Sequence, residues 1–162
     1  MGEYQNAGER SPPRNVVVVR RVIEEIWNQG NLDVADTLFT AAYVNAGGLI
    51  PDAVAGPEAI KIAVVIHRTA YPNLHVTIEH LISEGELVAF QWVARSQAVG
   101  DGVAPDPSVS RGTLRGTTFC RLASGKIVES WTSWDPGGLL RKLARGAGLT
   151  PGRGSLVSSG LS

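Results

Sequence analysis

The chain predicts an α+β fold: a curved antiparallel sheet with N-terminal helices, closing into a cone-shaped pocket. Three observations carry this. Apolar side chains recur at helical spacing over 15–28 and crowd nearly every side of a helix over 57–70, the spacing changes to two from Leu74 onward, and the alternating segments then follow one another through turn residues. A strongly curved sheet with a helix laid across it encloses a cone, whose inside is the natural ligand site.

Taken in order, Asn15 is placed to cap a first helix that runs to Asn28. Along it Val19, Val22, Ile23, Ile26 and Trp27 follow an i, i+3, i+4, i+7, i+8 stripe, and Gly30 ends it. Asn31 restarts a short helix through Phe39. Tyr43-Val44-Asn45 is a short strand, and Gly47-Gly48 breaks it into a loop to Gly56. Pro57 opens a third helix to about Ala70; it is apolar nearly all round, so burial on most sides is expected. Tyr71-Pro72-Asn73 ends that helix.

Leu74, Val76, Ile78, His80 and Ile82 share one face of the next strand, and Glu84-Gly85-Glu86 turns it. Leu87 to Gln97 follows with two largely apolar faces, as a central or helix-backed strand has. Residues 99–110 are a Gly/Pro loop too long for a tight hairpin. Gly112 to Leu122 is a third long strand, and Ala123-Ser124-Gly125 turns it into a fourth.

That fourth strand belongs to the most informative stretch, GKIVESWTSWDPGGLLRKLAR from Gly125 to Arg145. Period two puts Ile127, Glu129, Trp131, Ser133 and Asp135 on one face and Val128, Ser130, Thr132 and Trp134 on the other. Asp-Pro-Gly-Gly then breaks the strand, and Leu139, Leu140 and Leu143 resume at helical spacing. An acid at the end of an aromatic-rich strand suits the mouth or floor of an apolar pocket. Asp before Pro is equally a standard helix start, with Asp as N-cap. The two roles are compatible, since one carboxylate oxygen can cap while the other faces a cavity.

Composition narrows the partners. The 162 residues make one domain, 43% hydrophobic and 19% charged, with 15 basic side chains balancing 15 acidic ones. Such a balance favours neither nucleic acid nor an anionic membrane. The single Cys120 rules out an intrachain disulfide, and three histidines without HxxxH or HxH spacing give no metal signature. No run approaches the ~20 apolar residues that span a bilayer, and the N-terminal stretch has no apolar centre of a secretory signal. A cytoplasmic domain is expected, with residues 1–14 disordered, a folded part over 15–145 and a flexible tail over 146–162.

Several side chains are candidates for a site. Asp135, as a general acid or base, needs a carboxyl pKa raised by desolvation near Trp131, against the pull of a helix N-terminus. His80 is either a hydrogen-bonded wall residue or a group that titrates near neutrality inside the cone. Phe90, Trp92, Trp131 and Tyr43 suit a flat aromatic ligand and suit a sheet–helix core equally well. Alternation forbids Trp131 and Trp134 both facing inward, and Trp131 is favoured. Trp27 packs in the core or closes the cavity from the helix side. Arg115 and Arg121 share a strand face and are expected to be solvated; His67 and His75 are expected to be structural, and Cys120 a small core residue.

A family likeness rests on four pieces: IEEIWNQGNLDVADTLFTAAYVN, GPEAIK with YPNLHVTIE, ISEGELVAFQWVARS, and GKIVESWTSWDPGGLLRKL. Over 15–145 the chain resembles the SnoaL-like polyketide cyclases, of the nuclear-transport-factor-like cone superfamily; the closing W-x-x-x-D-x-x-G-L-L is the most specific element. The resemblance implies a cystatin-like α+β barrel and cofactor-independent aldol chemistry, of the kind that closes the last ring of aromatic polyketides in antibiotic-type secondary metabolism. It implies that Asp135 is the acid/base, that Asn45 lies in the pocket, and that the chain is a homodimer paired through the outer sheet face. No metal or other cofactor is implied, and the partner is a small aromatic or polyketide-like substrate. Ala46 stands where most members have a histidine, no P-T-G turn precedes the third long strand, and no histidine follows His80. His80 is therefore the candidate to replace the family's histidine. A cofactorless hydroxylase, an epoxide-opening cyclase and a non-catalytic binding protein of the same fold remain alternatives.

Overall fold

The computed structural model describes residues 13–46, 54–96, 113–134 and Ala144. The N-terminal segment, the 47–53 part of the Gly47-Gly48 loop, the 99–110 loop, Asp135, the terminal helix apart from Ala144, and the tail lie outside the described residues.

Helix α1 (Arg14–Arg21) runs directly into a π-helical segment (Val22–Asn28). The expected stripe is buried along both: Val19, Val22, Ile23 and Ile26. Asn15 is not the cap. Pro13 precedes the helix, its carbonyl accepting from Val16 and Val17 at 2.9 and 3.2 Å, so Asn15 falls inside the first turn. There its Nδ2 donates to the Gly85 carbonyl at 3.1 Å and ties the helix to a sheet turn. Gly30, at φ 72°, takes the left-handed conformation that ends the helix.

A 3₁₀ turn (Leu32–Val34) and the short α2 (Ala35–Leu38) lead into β1 (Phe39–Ala46). The strand thus starts at the residue expected to end the helix and exceeds the expected three residues. Helix α3 (Pro57–Ala70) has the expected bounds, but only Ile60, Val64 and His67 are buried, while Val65 is 51% exposed. Positions 60, 64 and 67 form a single stripe. The helix lies on the sheet by one side, so the expected burial on most sides does not occur.

Strands β2 (Leu74–Glu84), β3 (Leu87–Ser96), β4 (Thr113–Ala123) and β5 (Lys126–Trp134) form the antiparallel run read from the sequence. Ser124 and Gly125, both at positive φ (51° and 78°), make the tight turn between β4 and β5. The sheet order is β1-β5-β4-β3-β2, with β1 parallel to β5. This parallel edge makes the sheet mixed, where an antiparallel one was expected.

Two bulges reset which side chains face inward. In β2, Ile78 pairs with Trp92 and His80 with Gln91, so Glu79 is an extra residue. Leu74, Val76 and Ile78 face the core, but Leu81 takes over after the bulge, and His80 and Ile82 are exposed. In β5, Glu129 pairs with Arg121 and Ile127 with Leu122, so Val128 is extra. Ile127 is then followed inward by Ser130, Thr132 and Trp134, and Trp131 turns outward. The helices and the concave inner face of the sheet share one core that includes Ile26, Tyr43, Val64, Tyr71, Val88 and Leu122.

Candidate functional site

The core is not filled. Between the helices and the inner sheet face lies a cavity of about 110 Å³, several times the ~10–15 Å³ a single water needs. Its wall carries six aromatic rings: Trp27, Phe39, Tyr43, Phe90, Trp92 and Trp134. Among the described residues lining it there is no Asp, Glu, Lys or Arg; the polar groups are Asn45, His67, Thr118, Ser130 and Thr132.

Four of them, Asn45, Thr118, Ser130 and Thr132, are organised by pairing of the strands that carry them. Asn45 of β1 stands opposite Ser130 of β5 in the parallel ladder. Ser130 Oγ donates to Asn45 Oδ1 at 3.3 Å, so the Tyr43 hydroxyl, 2.7 Å away, donates to Ser130. The string runs from a buried phenol to an amide whose Nδ2 has no partner among the described residues. Burial holds the Tyr43 phenol well above its usual pKa, outweighing the opposite effect of the Ser130 bond, so Tyr43 stays a donor.

A second string crosses β3, β4 and β5. Trp92 Nε1–H donates to Thr118 Oγ1 at 3.0 Å, and Thr118 Oγ1 lies 2.9 Å from Thr132 Oγ1. The indole lies over Gly116, where a Cβ would come within 2.4 Å of the Trp92 ring. Cys120, on the same inner face, is buried, and burial pushes its thiol up to about 12. It is a protonated wall residue rather than a nucleophile.

On the helix side, Arg68 Nη1–H donates to the carbonyls of Trp27 and Asn28 at 2.9 and 3.0 Å, closing the end of the π-helical segment. This fixes Trp27 beside His67: their ring centroids are 5.3 Å apart at 78°, and Trp134 lies 5.1 Å from His67 on another side. His67 Nδ1 is 2.6 Å from the Ala63 carbonyl of its own helix.

Of the sequence candidates, Asn45, Tyr43, Trp92, Phe90 and Trp27 come together in this cavity. Asp135 lies outside the described residues. His80 and Trp131 do not join them. The Glu79 bulge turns His80 to the exposed side, and the Val128 bulge leaves Trp131 39% exposed on the outer face, giving the inward place to Trp134. Arg121 and Arg115 are on that outer face too, paired with Glu129 and Glu79 at 3.0 Å each. His67, Ser130, Thr118 and Thr132 line the cavity without having been singled out for it. For His67 the available signal was its place at i+3 and i+7 from Val64 and Ile60, on the buried stripe of α3.

An α+β cone with helices over the inner face of a curved sheet, and an aromatic-walled cavity between them, defines the class to which this domain belongs. The chain belongs to the SnoaL-like polyketide cyclase family, whose model matches residues 17–143. A solved protein from Jannaschia sp. CCS1, assigned as a SnoaL-like polyketide cyclase, is 26% identical, with a TM-score of 0.65 over 84% of this chain and 96% of its own. One from Acidithiobacillus ferrooxidans, assigned as a polyketide cyclase, is 18% identical, with a TM-score of 0.66 over 84% of this chain and 98% of its own. One from Streptomyces galilaeus, assigned as a hydroxylase, is 20% identical, with a TM-score of 0.62 over 83% of each chain. No curated protein matches the chain. Among the described residues no helix is long and apolar enough to cross a membrane, and no three His, Cys, Asp or Glu side chains are placed to hold a metal ion.

Proposed function

We propose that this chain takes a flat, carbonyl-bearing compound of polyketide type into its cavity and catalyses a cofactor-independent acid/base conversion of it, an aldol-type ring closure. The observation that supports this most is the wall: aromatic rings around a space with no Asp, Glu, Lys or Arg among its described lining residues, with a hydrogen-bonded string ending on an amide whose Nδ2 is open among those residues. Flat rings match flat faces. The Asn45 Nδ2–H groups are suited to donate to a substrate carbonyl, and such a donor strengthens as the oxygen gains negative charge.

Asp135 is assigned the acid/base role on its match to the family aspartate. It takes the acidified α-proton of a β-dicarbonyl. The carbanion attacks a second carbonyl carbon, the C–C bond forms, and the displaced π pair becomes an alkoxide that receives the proton back. No electron acceptor or other co-reactant enters this balance. The same proposal includes pairing of two copies through the outer sheet face, where Phe119 and Trp131 stand opposite each other, 48% and 39% exposed.

Turnover of β-keto aromatic esters by wild type and Asp135→Asn tests the reading. The variant is expected to lose ~10²–10⁴-fold in rate. Full activity in Asp135→Asn refutes the assigned role. Oxygen-dependent product supports the hydroxylase alternative instead, water incorporated into an epoxide the epoxide-opening one, and stoichiometric retention without turnover a binding protein.

A further inference from the structure

One group on the cavity wall is used by neither hydrogen-bonded string. His67 lies on the buried stripe of α3, in ring contact with both Trp27 and Trp134, and borders the cavity. Its Nδ1 is committed: at 2.6 Å from the Ala63 carbonyl, an oxygen that can only accept, Nδ1 must carry the ring proton. In the neutral ring that leaves Nε2 as an acceptor. Nε2 has no partner among the described residues, and it is not among their sealed polar atoms, of which Thr40 Oγ1 is the one without a partner. Because Nδ1 turns back to its own helix, Nε2 is the corner of the ring away from it. Burial, the larger influence, holds the imidazole below its ordinary pKa against the Ala63 bond.

The rest of the wall sharpens what this acceptor selects. Thr118 and Thr132 answer each other and Trp92, and Ser130 answers Tyr43 and Asn45. The other titratable groups lining the cavity among the described residues are Tyr43 and Cys120, both held protonated by burial. Of the described lining groups, His67 alone offers a basic nitrogen. A ligand that fills an apolar space beside an open imidazole lone pair gains most if it presents an acidic O–H there.

We infer that His67 is a specificity residue of the cavity, whose Nε2 accepts a hydrogen bond from a phenolic or enolic hydroxyl on the aromatic end of the ligand. This rests on the reading that the cavity takes a flat aromatic compound, and extends it by naming the group the compound must carry. Asn45, on strand β1, serves a carbonyl; His67, on helix α3, serves a hydroxyl.

The test compares 2-naphthol with its methyl ether, 2-methoxynaphthalene. Binding to the full chain is followed by tryptophan fluorescence, and the His67 ring nitrogens are followed by ¹⁵N NMR. The free protein is expected to show the neutral Nδ1–H form at pH 7. Naphthol is expected to bind about 10-fold more tightly than the ether and to shift the Nε2 resonance, since a hydrogen bond of about 1.4 kcal/mol corresponds to that ratio. His67→Phe, which keeps the ring volume, is expected to bind both compounds equally. His67→Gln, which keeps an acceptor, is expected to restore part of the preference. An Nε2–H tautomer, or an undiminished preference in His67→Phe, overturns the role of His67. Equal binding of the two compounds to wild type overturns it as well, while leaving the cavity reading intact. Failure of both to bind wild type overturns the cavity reading, and the role of His67 with it.

Discussion

Asn28 pairs with both backbone groups of Val76: its Nδ2 donates to the Val76 carbonyl at 3.1 Å, and the Val76 N–H donates to its Oδ1 at 2.7 Å. Strand β2 is the sheet edge beyond β3, so a single side chain stands in for the next strand there. Asn28 is the last residue of the π-helical segment, next to Trp27, so this pairing sets one wall of the cavity against the other. Asn28→Ala is expected to lose about 1–3 kcal/mol, the cost of leaving partly buried backbone groups unpaired. Urea unfolding with an unchanged m-value checks it.

Gly116 is a second place where one atom decides the wall. A Cβ there would lie 2.4 and 2.8 Å from two Trp92 ring atoms and 3.0 Å from the Ser133 carbonyl. Gly116→Ala is expected to push the indole away from the strand, break its bond to Thr118, and destabilise by about 1–3 kcal/mol. A changed Trp92 emission spectrum, measured against a Trp92→Phe control, together with a lowered midpoint of unfolding, checks this.

The Tyr43–Ser130–Asn45 string predicts an asymmetry. In Tyr43→Phe, Ser130 keeps its bond to Asn45, so the loss is a single hydrogen bond of about 0.5–1.5 kcal/mol. In Ser130→Ala the buried Tyr43 hydroxyl is stranded, and the cost is expected to be larger, up to about 3 kcal/mol. Denaturant unfolding of both variants and of the double variant measures it; equal single losses would contradict the middle place of Ser130 in the string.

His67 gives a signed pH dependence. Its folded pKa is below the ordinary 6.5, so between the two values the unfolded chain binds more protons. The contribution is therefore fully present above about 6.5 and declines as pH falls through that value toward the folded pKa. No Asp, Glu, Lys or Arg among the described cavity-lining residues opposes or shares this titration. Wild type minus His67→Phe stability, taken from pH 8 down to pH 5, is expected to fall; a flat or rising difference would contradict it.

Pairing of two copies is checked on the outer face. Wild type is expected to sediment as a dimer and Phe119→Lys as single chains, with the fold intact because Phe119 is 48% exposed. A wild type that sediments as single chains contradicts the dimer outright.

Much of this molecule was readable from its residues, and the failures share one origin. Helix α3 was bounded correctly by Pro57 and Tyr71, and the β2–β5 run by its change of period. The errors at His80 and Trp131 arise because alternation is counted in residues, whereas pairing is counted in ladder steps. Each bulge inserts one residue without a step, at Glu79 and at Val128, and everything beyond it changes face. Neither position carries a glycine or proline that would have marked it. The parallel partner of β1 was invisible for another reason: no local pattern records which edge a strand joins. His67 was passed over because a histidine on an apolar helix stripe looks the same whether it meets packed side chains or an empty space.

The parallel ladder between β1 and β5 also gives the molecule an order of assembly. Asn45 and Ser130 meet across 85 residues of chain, whereas β2 through β5 are joined strand to following strand. Contacts so distant in sequence carry the largest closure cost and tend to form late. The Tyr43–Ser130–Asn45 string is therefore expected to form only near the end of folding, after the meander exists. A ligand held by Asn45 has nothing to grip at the folding barrier. It is expected to slow unfolding in proportion to its affinity and to leave the refolding rate unchanged; ligand-accelerated refolding in stopped-flow traces would contradict this order.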